Sequence, residues 1–260
     1  MRIQQSVCVP MMKPAAIPLE PFIEKSAGIG YKAIELWFRE DNFAEFLALA
    51  NKYHLAVSCM TGHASLHSGV NDPSQHERIA LELRQSIDIA SENGIPNLIC
   101  FSGPRRPGLT EEEGIEISAR GLAQSARFAE QKGITLVLEL LNSRYDHPGY
   151  QCDHAAWGLE VVRKVGSPNV KLLYDIYHMQ IMDGDIVRGI VGNIDWIGHF
   201  HTGGVPGRSD IDASNELNYT RVCQAIAGTA YKGYLAHEYR PSGDVYQSLQ
   251  TAFKICDQQG

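Results

Sequence analysis

At residues 131–139 the sequence reads QKGITLVLE, in which a polar helical segment, a glycine and a short apolar run follow one another. Gly133 is placed to end a helix, because glycine adopts the left-handed backbone that a helix C-cap often requires. The run from Ile134 to Leu138 predicts a buried strand, and it closes on an acid, Glu139. A helix that ends at glycine and gives way to a buried strand is typical of a βα unit around a parallel sheet.

The same pattern recurs on both sides of this stretch, where Gly30, Gly94 and Gly166 each precede an apolar run. We predict eight strands, at about residues 3–9, 32–37, 55–60, 97–101, 134–139, 170–175, 195–201 and 233–238. Eight such units in about 250 residues are typical of the TIM barrel. We therefore expect the α/β class, with residues 1–260 forming a single (β/α)8 barrel domain.

The fold alternative is a doubly wound sheet, which would carry a glycine-rich phosphate-binding turn after its first strand. Residues 9–13 read VPMMK and contain no such turn.

Several helices have recognisable starts. Asp72 followed by Pro73 is typical of an N-cap and a first helical position. Thr110 with Glu113 predicts a capping box, in which each side chain binds the other residue's backbone N–H. Apolar residues at helical spacing after residue 76 predict a helix with one buried face; these are Ile79, Leu83, Ile87 and Ala90.

Composition and charge argue against some classes of partner. The net charge is −7 and no basic stripe is present, so we expect no nucleic-acid partner. We find neither a secretory signal nor an apolar run long enough to cross a membrane, and we expect a cytoplasmic protein with no membrane partner. The six cysteines form no C-x-x-C pair, which indicates buried free thiols in a reducing compartment.

The last four predicted strands each finish in an ionisable residue: Glu139, Asp175, His201 and Glu238. A charge at the end of a buried strand is costly unless it is paired or binds a metal. In a barrel, the C-terminal ends of the strands face the active site, so these four residues are expected to converge. Three oxygen ligands and one imidazole favour one divalent ion, Mn²⁺ or Mg²⁺ with Co²⁺ as an alternative, over a thiolate-rich zinc site.

Two histidines of the seventh strand, His199 and His201, point to the same face by strand alternation. His201 lies nearer the C-terminal end, so it is assigned to the metal. His199 is expected deeper, as a supporting group or a hydrogen-bonded core histidine.

Several motifs resemble the hydroxypyruvate isomerase family. The resemblance runs over the whole chain and is carried by Y-D-I-Y-H-M-Q at 174–180, V-P-G-R at 205–208, E-L-N-Y at 216–219 and E-Y-R-P at 238–241. Asn142 with D-x-P-G-Y at 146–150 is similar to the loop that this family carries after its fifth strand. The wider superfamily is the xylose-isomerase-like barrel, which includes ketose 3-epimerases, inosose dehydratases and endonuclease IV.

The resemblance implies a metal-dependent isomerase that interconverts hydroxypyruvate and 2-hydroxy-3-oxopropanoate (tartronate semialdehyde) through an enediolate. It assigns Glu139 and Glu238 as the acid/base pair and His178 as a substrate-binding residue. Arg208 lies in a glycine-rich loop, and its guanidinium suits a carboxylate or an enediolate oxygen of the substrate. The expected partners are a small hydroxy-keto acid or ketose and, as in many relatives, further copies of the chain in a homo-oligomer.

One position departs from the family. At residues 198–201 the chain reads G-H-F-H, where typical hydroxypyruvate isomerases have glutamine at the last position. A histidine there resembles the ketose 3-epimerases of the D-tagatose or L-ribulose type, which use it as a metal ligand. A ketose 3-epimerase is therefore the second candidate, and an inosose-type dehydratase is the third.

Two further classes fit less well. A metal-dependent nuclease would need additional metal ligands and a basic track for DNA. A non-catalytic carbohydrate-binding barrel would have no need of two acid/base glutamates. The roles of His63, His67 and Trp37 stay open at this point, and Glu35 is expected to face outward as a salt-bridge partner.

Overall fold

The computed structural model describes residues 2–39 and 42–259, which group into two compact units. The first unit comprises the described residues of 1–60, 185–194 and 200–260. The second comprises residues 61–184 and 195–199. The prediction of one domain over residues 1–260 stays a prediction.

The first unit contains strands and helices in alternation. In chain order these are β1 (Gln4–Cys8), α1 (Val9–Met12), α2 (Leu19–Ile29), β2 (Ala33–Glu35), α3 (Phe43–Lys52), β3 (Ala56–Val57), the start of β4 (Cys59–Thr61), α8 (Ile186–Val191), the end of β8 (Ile197–Thr202), α9 (Tyr219–Ala227), β9 (Tyr234–His237) and α10 (Val245–Cys256). The strand order in this unit is β3-β2-β1-β9-β8. The pairing is parallel, with Ser6 opposite both Ala33 of β2 and Ala236 of β9.

The second unit repeats this architecture. In chain order it contains the end of β4, α4 (His76–Glu92), β5 (Asn97–Cys100), α5 (Glu111–Lys132), β6 (Thr135–Glu139), α6 (Ala155–Val165), β7 (Val170–Asp175), α7 (Ile176–Met182) and the start of β8. Its strand order is β8-β7-β6-β5-β4, and β6 pairs in parallel with both neighbours. Parallel strands joined through helices confirm the predicted α/β class.

The third predicted strand is not continuous. It is divided into β3 and β4 at Ser58, whose backbone N–H donates to Ile34 O at 3.0 Å. Strands of two or three residues are too short for an apolar periodicity to separate them, so one strand was predicted where the structure has two.

The helix ends follow the sequence signals closely. Thr110 Oγ1 accepts from Glu113 N at 3.2 Å and Glu113 Oε2 accepts from Thr110 N at 2.9 Å, so the predicted capping box is confirmed. Gly133 and Gly166 end α5 and α6 in the left-handed conformation, with φ of 69° and 68°. Asp72 is an N-cap followed by Pro73, as predicted, but the helix it starts is a short 3₁₀ turn, Pro73–Gln75, and α4 begins directly after it at His76.

Apolar faces of the helices cover the strands. In α4 the predicted stripe is buried, from Ile79 to Ala90. All six cysteines lie among the described residues, where they are buried and form no disulfide, as expected from their sequence context. Among the described helices, none combines the length and the apolar character needed to cross a membrane.

Candidate functional site

The structure places the four predicted metal ligands at or next to strand ends. Glu139 and Asp175 are the last residues of β6 and β7, His201 is the fifth residue of β8, and Glu238 directly follows β9. All four side chains are buried. Glu139 and Asp175 belong to the second unit, and His201 and Glu238 belong to the first.

In the second unit, Asp175 joins β7 to α7. Its Oδ1 accepts from the backbone N–H of His178 at 3.2 Å, so the carboxylate also caps the helix that follows. Glu139 is fixed through its backbone, because the Tyr150 hydroxyl donates to its carbonyl oxygen at 3.0 Å. The loop from Asn142 to Tyr150 is thus tied to the end of β6.

His178 is buried and contacts this loop. Its Nδ1 lies 2.7 Å from Asn142 Nδ2, and its Nε2 lies 3.7 Å from Asp175 Oδ2. The rings of His147 and Tyr177 pack edge-on against it, with ring centres 5.4 and 5.0 Å away. A histidine this enclosed has one fixed ring orientation. The structure therefore holds His178, which the sequence predicts to bind the substrate, in a fixed position.

In the first unit, Glu238 is the centre of a polar cluster. Trp37 Nε1 donates to its Oε1 at 2.7 Å, and the Cys8 thiol donates to the same oxygen at 3.4 Å. Its Oε2 contacts both His201 Nδ1, at 2.9 Å, and Arg208 Nη2. The carboxylate is held by residues from four separate segments of the unit, so its position is well defined.

Arg208, predicted to bind substrate, lies directly on Glu238. Besides the side-chain contact, Arg208 Nε donates to the backbone carbonyl of Glu238 at 2.8 Å. The Arg208 side chain is only 12% exposed. The backbone of Arg208 has a φ of 53°, which is uncommon for a residue other than glycine. Its guanidinium group lies at this buried carboxylate.

These contacts set the protonation of Glu238. Burial alone would raise the pKa of its carboxyl group, but the positive charges of His201 and Arg208 outweigh burial. Hydrogen bonds from His201 and Trp37 act in the same direction, and the pKa is held well below its ordinary value. Glu238 is therefore ionised at neutral pH.

Glu35 corrects one expectation. It was expected to face outward, but it is 2% exposed, and its Oε1 lies 2.9 Å from His201 Nε2. Ser58 Oγ donates to the other oxygen at 3.3 Å. Both faces of a parallel strand are buried, so alternation along β2 does not reveal which face carries the site. The available signal was a carboxylate inside an otherwise apolar run, which is costly unless it has a partner.

Within the first unit, His201 and Glu238 are of the kind that binds a divalent metal ion. Carboxylate oxygens are hard ligands, and a buried imidazole with a carboxylate at its second nitrogen is the common arrangement around a metal-binding histidine. The Glu35 carboxylate at His201 Nε2 provides this partner and leaves Nδ1 on the Glu238 side.

Three further histidines that the sequence singled out lie at different kinds of position. His63 Nε2 accepts from Phe101 N at 3.0 Å and its Nδ1 donates to Ala64 O at 3.2 Å, so it joins two loops of the second unit. His67 lines a cavity of about 100 Å³ together with Asp146, His147 and Tyr150. His199 is fully buried in β8, as expected for the deeper histidine.

Relatives with assigned functions match most of the chain. The hydroxypyruvate isomerase of Escherichia coli (strain K12) is 26% identical over 229 residues, which are 84% of this chain and 86% of that protein. A Xenopus laevis protein provisionally named a hydroxypyruvate isomerase is 27% identical over 248 residues, 90% of each chain. The prediction that the protein is an isomerase is confirmed.

Solved structures agree on the fold. A family 2 AP endonuclease from Brucella melitensis has a TM-score of 0.84, with 24% identity over 98% of this chain and all of that one. A D-allulose 3-epimerase of Methylomonas sp., solved with D-allulose, has a TM-score of 0.80 and 20% identity, and covers 100% of this chain and 98% of that one. At these identities the likeness shows the fold alone.

The family model that matches residues 23–256 describes a xylose isomerase-like TIM barrel. It spans nearly the whole chain and agrees with the parallel strand order and the intervening helices. The predicted barrel fold is confirmed, and the chain belongs to the xylose isomerase-like TIM barrel family.

Proposed function

We propose that this isomerase interconverts hydroxypyruvate and 2-hydroxy-3-oxopropanoate. The observation that carries the proposal is the contact between Arg208 and Glu238. A buried guanidinium beside one of the two acid/base glutamates offers a bidentate partner for a substrate carboxylate. Hydroxypyruvate carries such a carboxylate, whereas a ketose does not. The hydroxypyruvate isomerase relatives over most of the chain support the same substrate.

We propose that one divalent ion, Mn²⁺ or Mg²⁺, is bound by Glu139 and Asp175 of the second unit and by His201 and Glu238 of the first. The chemistry of this donor set supports the assignment. When bound, such an ion supplies Lewis acidity at the carbonyl oxygen and the adjacent hydroxyl of the substrate.

Glu139 and Glu238 are proposed to move the proton. One carboxylate removes a proton from C3 of hydroxypyruvate, which gives an enediolate, and the other delivers a proton to C2. The hydroxyl proton of the C3 oxygen is lost as the aldehyde forms, and the oxygen at C2 gains one, so the product has the composition of the substrate. The low pKa of Glu238 keeps it ionised and able to accept a proton at neutral pH.

His178 and Arg208 are proposed to orient the substrate. Arg208 would hold the carboxylate of hydroxypyruvate at the Glu238 side. His178, fixed by Asn142 and by the rings around it, would donate to a substrate oxygen. Both groups would donate hydrogen bonds to the oxygens on which negative charge develops in the enediolate. Fixed donors at such oxygens contribute most to catalysis.

A ketose 3-epimerase is the second candidate, and His201 favours it. Histidine at this position resembles the ketose 3-epimerases, and the fold is shared with the D-allulose enzyme. The same two glutamates and metal ligands would serve both reactions, so the core of the site does not separate them. Arg208 separates them at the level of the bound substrate, because hydroxypyruvate carries a carboxylate for it to bind and an unreacted ketose carries no charge.

The deciding experiment compares substrates under identical conditions. The Mn²⁺-loaded enzyme is incubated with hydroxypyruvate, D-tagatose, D-fructose and L-ribulose in D₂O, and products are followed by ¹H NMR. We expect conversion of hydroxypyruvate at a kcat/KM about 10- to 100-fold above that of any ketose, since a charge-assisted pair contributes about 1.5–3 kcal/mol. Deuterium at C3 of a ketose, with hydroxypyruvate unchanged, would assign the protein to the epimerases instead.

A further inference from the structure

The amide of Asn142 has one orientation that its surroundings permit. Its Oδ1 accepts from two backbone N–H groups, Tyr145 N at 2.9 Å and Asp146 N at 3.1 Å. Its Nδ2 lies 2.6 Å from Asp146 Oδ2. Exchanging the amide oxygen and nitrogen would set NH₂ against two N–H donors and oxygen against a carboxylate. The hydrogen-bond network therefore fixes Nδ2 as the atom that faces His178.

This orientation determines where the proton of His178 resides. A side-chain amide nitrogen is only a donor, and Asn142 Nδ2 lies 2.7 Å from His178 Nδ1. A hydrogen bond at this distance requires Nδ1 to be the acceptor. We infer that Asn142 is a positioning residue that holds His178 in the Nε2–H tautomer, so that His178 acts on the substrate as a neutral hydrogen-bond donor and not as a base.

Asp146 and Tyr177 complete the arrangement. The Tyr177 hydroxyl donates to Asp146 Oδ2 at 2.7 Å, and the same oxygen accepts from Asn142. Tyr177 precedes His178 in α7, so the helix that carries the histidine also anchors the carboxylate that orients the amide. The loop after β6 and the start of α7 form one hydrogen-bonded unit.

The assigned tautomer has a chemical consequence. A neutral imidazole that donates from Nε2 stabilises negative charge on a substrate oxygen without transferring a proton to it. Proton transfer is then left to the two glutamates. The 3.7 Å separation of Nε2 from Asp175 Oδ2 is longer than a direct hydrogen bond between these two atoms. This part of the inference rests on the proposed function.

A pair of substitutions tests the tautomer without changing charge. In the double variant Asn142→Asp/Asp146→Asn, the aspartate at 142 still accepts from the two backbone N–H groups and now accepts from the amide at 146. Its second oxygen faces His178 Nδ1 as an acceptor, which favours a proton on Nδ1. The single variant Asp146→Asn is the matched control, because it keeps the Asn142 donor and should keep the wild-type tautomer.

The readout is the long-range ¹H–¹⁵N correlation spectrum of protein labelled with ¹⁵N-histidine, in Mg²⁺. His178→Gln assigns the His178 signals among the ten histidines. We expect Nδ1 to be unprotonated in the wild type and in Asp146→Asn, and protonated in the double variant. In the double variant kcat for hydroxypyruvate should fall about 100-fold with little change in KM, because one transition-state donor is lost.

Three results would overturn the inference: a proton on Nδ1 in the wild type, an unchanged tautomer in the double variant, or an inverted tautomer with undiminished kcat. The proposed function fails separately. If the spectra are as expected but hydroxypyruvate is inert, the tautomer assignment is supported and the substrate is wrong. If hydroxypyruvate turns over while Nδ1 carries the proton, the function is supported and the role of Asn142 is wrong.

Discussion

Glu238 is a buried carboxylate with a guanidinium, an imidazole and an indole N–H around it. Burying a charge is unfavourable unless its partners replace water, and here the positive partners also keep the carboxyl group ionised. Arg208 thus affects the charge of Glu238, and under the proposed function it also binds the carboxylate of the substrate. Kinetic constants separate these consequences, because the first acts on every substrate and the second only on a charged one.

Substitution Arg208→Gln removes the guanidinium. We expect the KM for hydroxypyruvate to rise about 10- to 100-fold, since a charge-assisted hydrogen bond is lost, while the KM for any ketose that is turned over changes much less. Initial rates over a range of substrate concentrations measure the effect. Arg188→Gln is the control, because Arg188 is a surface residue whose side chain is 86% exposed. Equal changes for both kinds of substrate would argue against a carboxylate at Arg208.

The titration of His63 contributes to the pH dependence of the free energy of unfolding. Burial lowers its pKa from 6.5 to about 4, because the charged form is poorly solvated there. The unfolded chain binds a proton near pH 6.5, so between pH 6.5 and 4 the unfolded state takes up more protons than the native state. The free energy of unfolding should therefore be unaffected by His63 above pH 6.5 and fall as the pH drops toward 4, by about 3 kcal/mol in total.

The variant His63→Gln tests this. Glutamine does not titrate, and its amide can still accept from Phe101 N and donate to Ala64 O. Urea unfolding at pH 7, 5.5 and 4 should show a shallower loss of stability in the variant than in the wild type. The other buried histidines are present in both proteins, so identical slopes would mean that His63 titrates normally in the native state.

At the scale of secondary-structure elements, we expect replacement of two glycines by alanine to change the stability of the protein in opposite directions. A Cβ at Gly69 would lie 2.3 Å from Ser102 C and 2.4 Å from Phe101 O, which are backbone atoms and cannot yield easily. Gly69 belongs to a segment that runs along the chain after β5, where Val70 N donates to Phe101 O at 3.0 Å. At Gly28, inside α2, a Cβ would meet no heavy atom within 4 Å.

Gly69→Ala should therefore destabilise the protein by at least about 2 kcal/mol, because overpacking displaces two backbones. Gly28→Ala should stabilise it by about 0.5–1 kcal/mol, since alanine is the better helix former. Chemical denaturation of both variants measures the difference. A Gly69→Ala protein as stable as the wild type would show that the two backbones are not in close contact.

The ends of helices could be predicted from the sequence where a particular residue makes a local capping interaction. Gly133 ends α5 and Thr110 starts it as expected, since a left-handed C-cap and a capping box are local interactions. The division of the third strand at Ser58 was not predictable, because it depends on which neighbouring strand each short piece pairs with. Pairing partners lie far away in sequence.

For the molecule as a whole, the order of strands and helices carried most of the fold prediction, and the family match confirms it. The site was predictable to the extent that apolar strands close on ionisable residues, as at Glu139 and Asp175. The inward position of Glu35 and the link between Asn142 and His178 were not, because they depend on which face of a doubly buried strand is used and on contacts 36 residues apart.

The central claim is a metal-dependent isomerisation in which two glutamates move a proton. It is tested most directly with hydroxypyruvate in D₂O, by ¹H NMR, using wild type, Glu139→Gln and Glu238→Gln, each stripped with EDTA and then reloaded with Mn²⁺. We predict that EDTA abolishes turnover and that reloading restores it in wild type, with deuterium at C2 of the product. In either reloaded variant kcat should fall by at least about 10³-fold, since each substitution removes an acid/base group. Turnover that survives EDTA, or that persists in both variants, would contradict the account.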